Sequence, residues 1–304
     1  MTLMTPTRIG MVALLSLAAQ GCSQVKQTTY ATPEAAAEAL VGAAERYDIP
    51  TLQQILGKEG MDLVVTEDTV QDRNIMAGFA AQARQLTRID RDSGQKSATM
   101  IIGPDSFPVA IPLVEKGGQW HFDTKAGREE VLNRRIGRNE LDAIDVALVY
   151  VDAQRDYAAD RHDGAIVNQY AQRMISTPGK QDGLAWQAAD GTWQGPIGEG
   201  VAKAIAEGYS SRAEPLHGYY YKVLKGQGPA APLGELDFVV GGAMIGGFAL
   251  VAAPADYGIS GVKTFIVSHT GIVYEKDLGA TTLEQFQKME RYDPDASWTP
   301  VQQP

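Results

Sequence analysis

The chain contains a single cysteine, Cys22, and it stands at the end of an apolar run near the N-terminus, outside the body of the sequence. That count restricts what the remaining residues can fold into. No intramolecular disulfide, multi-thiolate zinc site or iron–sulfur cluster can brace them, so the fold must be held by buried apolar surface and hydrogen bonds. A hydrophobic fraction of 44% with 21% charged residues over 304 positions is globular, enough for one large domain or two ordinary ones. The formal net charge of −10, without clusters of Lys and Arg, argues against nucleic acid as a partner, because phosphate binding needs grouped cations.

The opening "MTLMTPTRIGMVALLSLAAQGCSQ" has one Arg, then an apolar stretch from Ile9 to Ala19, then small residues before Cys22. This is the pattern of a secretory signal over residues 1–21, too short for a transmembrane span. "LAAQGC" resembles a bacterial lipobox, which implies that Cys22 is acylated and becomes the mature N-terminus. Each methylene buried in a bilayer contributes about 0.8 kcal/mol, so a multiply acylated terminus anchors firmly. By the sorting rule of such lipoproteins, Ser23 after the cysteine implies the outer membrane, with the body facing the periplasm. The expected partner through Cys22 is therefore a membrane.

Residues 22–31 read as a polar tether. "TPEAAAEALVGAAERYDIP" then reads as a helix, with Thr32 as N-cap, Pro33 at the first helical position, and Ala37, Leu40, Val41, Ala44 and Tyr47 at helical spacing. Pro50 is expected to close it, and a second short helix ends at Gly57. From Ser97 the period becomes strand-like, in "SATMII", "FPVAIPLVE" and "QWHFD", with Trp120 and Phe122 sharing one face. "AGREEVLNRRIGRNE" has helical propensity and joins the two halves. In the helix that follows, Leu141, Ile144, Leu148 and Val151 form an apolar stripe. A loop-rich stretch follows, with a small helix expected near Gln169–Met174. The remainder reads as a β meander and a final helix with Leu283, Phe286 and Met289 on one face. The fold class expected is α+β, with domains at 32–127 and 128–304.

Two resemblances follow from these residues. Helices followed by a curled sheet ending in "WHFDT" resemble the cystatin-like or nuclear-transport-factor-like cone. A helix carrying Ala153, Gln154 and Tyr157, followed by "YYYKV" and by "TFIVSHTGI" at Thr264–Ile272, resembles the globular head of type IV pilins and type II secretion pseudopilins. Asp142, Asp145 and Asp152 set this internal helix apart from a pilin assembly helix, since buried carboxylates in a bilayer cost a few kcal/mol each. Across its mature length the chain resembles the bacterial secreted family called domain of unknown function 2950, through "AGREEVLNRRIGRNEL", "HGYYYKVLKGQGPAAP" and "GGFALVAAPADYGISGVKTFIV". That family implies fold and location, and no chemistry.

A catalyst is not legible. His121, His162, His217 and His269 form no metal-binding spacing with one another. Ser260 in "YGISGV" lacks the second glycine of a nucleophile elbow and reads as a turn. Glycines in "GPIGEGVAKAI" precede a helix without the Lys-Ser/Thr of a P-loop. "DRHDGA" (Asp160–Ala165) and "DPDASW" (Asp293–Trp298) offer alternating oxygens but not a full calcium loop. Trp186, Trp193 and Tyr219–Tyr221 are candidates for a binding patch. No catalytic, cofactor or metal residue is assigned; the one site residue is Cys22. The reading favours a non-enzymatic envelope lipoprotein that binds or scaffolds protein or polymer partners. A small-molecule or lipid binder using the N-terminal cone comes next, and a periplasmic hydrolase after it.

Overall fold

The computed structural model describes residues 27–207 and 214–302. The segment expected to be a signal peptide, and Cys22, lie outside the described residues. From Gln27 onward the expected tether is part of the fold. Gln27 Nε2 donates to Ile55 O and Phe122 O at 2.8 and 2.7 Å, and Tyr30 exchanges backbone bonds with Trp120.

The fold is α+β. Helix α1 (Pro33–Glu45) starts as its sequence requires, with Thr32 Oγ1 accepting from Ala35 N at 3.1 Å. Tyr47, beyond its end, has a positive φ and leaves the helix face. Pro50 does not close α1 but lies in the first turn of α2 (Ile49–Leu56), where its missing N–H is harmless; Asp48 caps that helix. Helix α3 (Thr69–Gln85) lies against α1 through Ala37, Val41, Ala80 and Ala83, small side chains that let the two backbones approach.

These helices cover one antiparallel sheet of β1 (Thr87–Arg91), β2 (Ser97–Ile102), β3 (Leu113–Lys116) and β4 (Gln119–Phe122), in that order. The run "FPVAIPLVE" is not one strand. Phe107–Pro108 pairs on β2 and Leu113–Lys116 on β4, and Pro112, which has no N–H to give a ladder, lies in the break. Trp120 and Phe122 are both buried in the core beneath the helices with Leu40, Ile55 and Leu113.

Helix α4 (Thr124–Tyr157) runs unbroken for 34 residues, roughly 50 Å at 1.5 Å per residue. Asp123 caps it by accepting from Ala126 N at 3.0 Å. The boundary expected after residue 127 therefore falls in its first turn. Gly127 is required there, because a Cβ would meet Ile111 Cα at 2.5 Å and Ala110 O at 2.7 Å.

The second half of α4 lies on another antiparallel sheet. After the short helix α5 (Gly198–Glu207) come β5 (Tyr219–Leu224), β6 (Ala249–Pro254), β7 (Lys263–Ser268) and β8 (Val273–Asp277), ordered β8-β7-β6-β5 with β5 at one edge. Every residue of β6 is buried, since α4 covers one face and α6 (Thr282–Lys288) packs across the strand from elsewhere in the core. The stripe expected on α4 is shifted. Ala143, Ala147, Tyr150 and Val151 are buried, Ile144 and Leu148 are packed at the rim, and Leu141 is 65% exposed. Short alanines bring the helix close to the sheet, and Leu141 is rotated off that face.

The stretch at Gln169–Met174 is not helical. Its backbone groups are taken by distant segments: Ala171 N and O by the Gln154 amide (2.8 Å each), Tyr170 N by Met244 O, and Arg173 O and Met174 O by Leu184 N and Ala185 N. Tertiary hydrogen bonds have displaced the local i→i+4 pattern.

The two halves meet along α4 in a polar seam. Arg128 pairs with Asp62, and Arg135 donates to the carbonyls of Asp62 and Leu63. Gln71, Asn139 and Ser260 form a chain of hydrogen bonds, and Asp68 Oδ2 accepts from Gly218 N at 3.1 Å.

Candidate binding groove

The described residues enclose a groove of about 1120 Å³ beside the free-edge strand β5. Its floor is the outer flank of α4, where Asp145, Val146, Val149 and Tyr150 lie within two turns. One wall is the Gln172–Ile175 segment, held in place by Gln154. The other is β5, through Tyr220 to Val223. Trp193, Ile197 just before α5, and α5 itself, through Val201, Lys203 and Ala204, close the far side.

Why the floor is apolar follows from helical spacing. Val146, Val149 and Tyr150 stand three and four residues apart, so they share a flank. Tyr150 is fully buried beneath them, donating to Ala249 O at 3.2 Å and accepting from Gln154 Nε2 at 3.0 Å, and its burial raises the phenol pKa. Val149 alone stays 58% exposed. Trp193 is placed by a hairpin with Trp186–Gln187, turned at Asp190–Gly191, where Asp190 accepts from Thr192 N and Oγ1.

Much of the polar lining is already engaged. Arg173 lies 3.5 Å from Asp182, whose carboxylate also accepts from Thr177 N and Oγ1, a set of bonds that holds its pKa low against the opposing effect of burial. Lys222 pairs with Glu290 at 3.6 Å and donates to Gln287 O. Gln172 Nε2 donates to Gly242 O at 2.7 Å. His217 stands 3.8 Å from Asp142 at the groove's end.

The other residues singled out from the sequence fall elsewhere. His121 lies on β4, away from the groove, and His269 packs among Phe238 and Phe248, where burial lowers its pKa. His162 stacks on Tyr157 at 3.9 Å and contacts Gln181 Oε1 at 3.2 Å. Burial, aided by Asp163 and Asp182, pushes the Tyr157 phenol up to about 12. Ser260 Oγ closes a turn on Asp256, as expected. Three of the four aspartates in the candidate calcium loops serve backbone donors. Asp163 accepts from Gln181 N, Asp293 from Ala230 N and Asp295 from Ser297 N. Among the described residues no group of three or more His, Cys, Asp and Glu is placed to hold a metal ion, and no helix is long and apolar enough to cross a membrane.

Of the aromatic residues named from the sequence, Trp193, Tyr220 and Tyr221 line the groove, whereas Trp186 stands behind it near His162. Sequence reasoning missed Val146, Val149 and the Gln172–Ile175 wall. The signal that was present is Val149, an apolar residue outside the buried stripe of α4.

Fold and groove together define an α+β chain with two cores on one shared helix and an apolar trough along a sheet edge. Residues 27–301 match the family model described as "Protein of unknown function (DUF2950)", and the chain belongs to that family. No curated protein and no solved structure matches the chain.

Proposed function

We propose that this chain is an envelope-anchored bacterial lipoprotein that binds a ligand or partner without transforming it, seating it in the groove between α4, β5 and α5. The observation that carries the reading is the trough itself: apolar side chains from three elements face open space, while Arg173, Asp182, Lys222 and Gln172 around it are committed to holding its walls. Binding sites are of this kind, concave and mostly apolar with a few polar groups to orient the occupant. The anchor is supported by "LAAQGC" and Cys22, and the periplasmic setting by the signal-like segment before it. The pilin-head likeness of the second half is supported by α4 lying on an antiparallel sheet that ends in the hairpin β7–β8.

The N-terminal cone is a weaker seat for a small molecule. Its interior is filled by Leu40, Ile55, Leu113 and Phe122, and the cleft beside it, about 410 Å³ between α1 and β1, is bordered by Arg84 paired to Glu38 and Glu45.

The test is occupancy. Full-length protein recovered from its own envelope should carry a bound molecule, identified by mass spectrometry, that Val149→Asp loses and Leu141→Asp keeps. Equal occupancy in both variants overturns the groove as the site. The same spectra should show acyl chains on Cys22; an unmodified N-terminus further along the chain overturns the anchor.

A further inference from the structure

The groove's polar groups differ in how they are used, and the difference points to the chemistry of its occupant. Arg173 and Lys222 are neutralised by Asp182 and Glu290. Lys203 on α5 and Lys225 just past β5 are exposed and, among the described residues, have no ion-pair or hydrogen-bond partner for their ammonium groups. Besides Asp182, two carboxylates line the groove: Glu214, which has a partner of its own, and Asp145 on α4, which has none among the described residues. The uncommitted charge is therefore two ammonium groups against one carboxylate, in a chain whose overall net charge is −10. An acidic protein that sets spare cations around an apolar trough is complementary to a molecule with an apolar body and an anionic head.

A glycan fits this lining less well. Sugar hydroxyls need several fixed donors and acceptors, and two such groups in the lining are already engaged: the Gln172 amide nitrogen on Gly242 O, and Asp182 on Thr177 and Arg173. What stays available beside Lys203, Lys225 and Asp145 is hydrocarbon surface from Val146, Val149, Trp193, Ile197 and Val201. The volume, about 1120 Å³, lies above the roughly 300–1,000 Å³ typical of small-ligand pockets, which suits a long flexible chain better than a compact molecule.

We infer that the occupant is an amphiphilic anion, a long-chain carboxylate or an acyl lipid with an acidic headgroup, its hydrocarbon lying over Val149 and Trp193 and its anionic end met by Lys203 or Lys225. The inference rests on the groove being the binding site and adds the ligand class.

The experiment uses the full-length chain in isolated membranes with a diazirine-bearing sixteen-carbon carboxylate, its methyl ester, and a diazirine-bearing phosphatidylglycerol as probes. Irradiation is followed by peptide mapping. The expected result is label in the α4 peptide around Val149 and in the Trp193–Lys203 peptide, competed by unlabelled carboxylate. The double variant K203E/K225E should lower labelling by a charged probe at least about tenfold while leaving the ester unchanged, and D145N should raise it. Whether the free acid or the phospholipid labels more strongly distinguishes the two sources of the anion. Equal labelling of acid and ester in every variant overturns the anionic head. No competed label in the groove overturns the amphiphile altogether, and if Val149→Asp still strips the co-purified occupant, only the ligand class has failed and the groove stands.

Discussion

Gln71 Nε2 donates to Asn139 Oδ1 at 3.2 Å, and Asn139 in turn donates its own amide hydrogen to Ser260 O at 2.8 Å. One side chain of α4 thus joins α3 of the first half to the β6–β7 turn of the second, and it is 1% exposed. Asn139→Ala would leave a buried donor and a buried acceptor without partners, each costing about 1–3 kcal/mol. Loss of about 2–4 kcal/mol in chemical denaturation is expected, with both cores affected; a loss below 1 kcal/mol would mean that water replaces the amide freely.

Gln154 is the corresponding post under the groove. Its amide satisfies Ala171 N, Ala171 O and Tyr150 Oη at once and is fully buried. Gln154→Ala should cost about 2–3 kcal/mol, the penalty for several orphaned buried groups. It should also raise hydrogen exchange at residues 170–175 more than in β7. Uniform exchange changes would show that the wall does not depend on this residue.

Two glycines of α4 make a matched pair. Gly137 has open space around its missing Cβ, so Gly137→Ala should stabilise the helix by about 0.5–1 kcal/mol. Gly127 faces main-chain atoms that cannot rotate away, so the same change there should destabilise by about 1–2 kcal/mol despite alanine's helix preference. Melting curves of the two variants, shifted in opposite directions, check the close approach of α4 to residues 110–111.

Asp256 gives the pH test. Burial first, then the charges of Glu67 and Asp62, raise its pKa against the smaller opposing pull of Arg135. A carboxyl whose folded pKa is raised favours the fold while protonated and loses that advantage as pH rises through the folded value. Asp256→Asn keeps the group neutral, and among the described residues the Asp256 carboxyl makes no hydrogen bond that would be lost with it. The variant should therefore melt higher than the parent at pH 7.5, by up to about 2 °C, with the gap closing toward pH 4. A gap that widens on acidification would contradict the sign.

The parts of the fold legible in the sequence were those whose causes are local. Thr32 and Pro33 announce α1, and the alternation from Lys263 to Asp277 around Gly271 announces the β7–β8 hairpin. Helix α3 was not legible, because its buried face includes Gln71 and Asp72, polar residues that are satisfied by Asn139 and Thr66. Leu141 has the size that suggests burial, yet the sheet takes the small Ala143 and Ala147 in its place. The groove drew on segments from Asp145 to Phe286, and no spacing along the chain marks such a set.

Because α4 is one helix that contributes to both cores, the described residues offer no joint at which the two halves can be parted. A protease cut or a truncation near Arg138 would expose apolar faces on both fragments and break the Arg135 and Asn139 bonds together. The two halves should melt as one event, and neither should survive as an independent module grafted onto another protein.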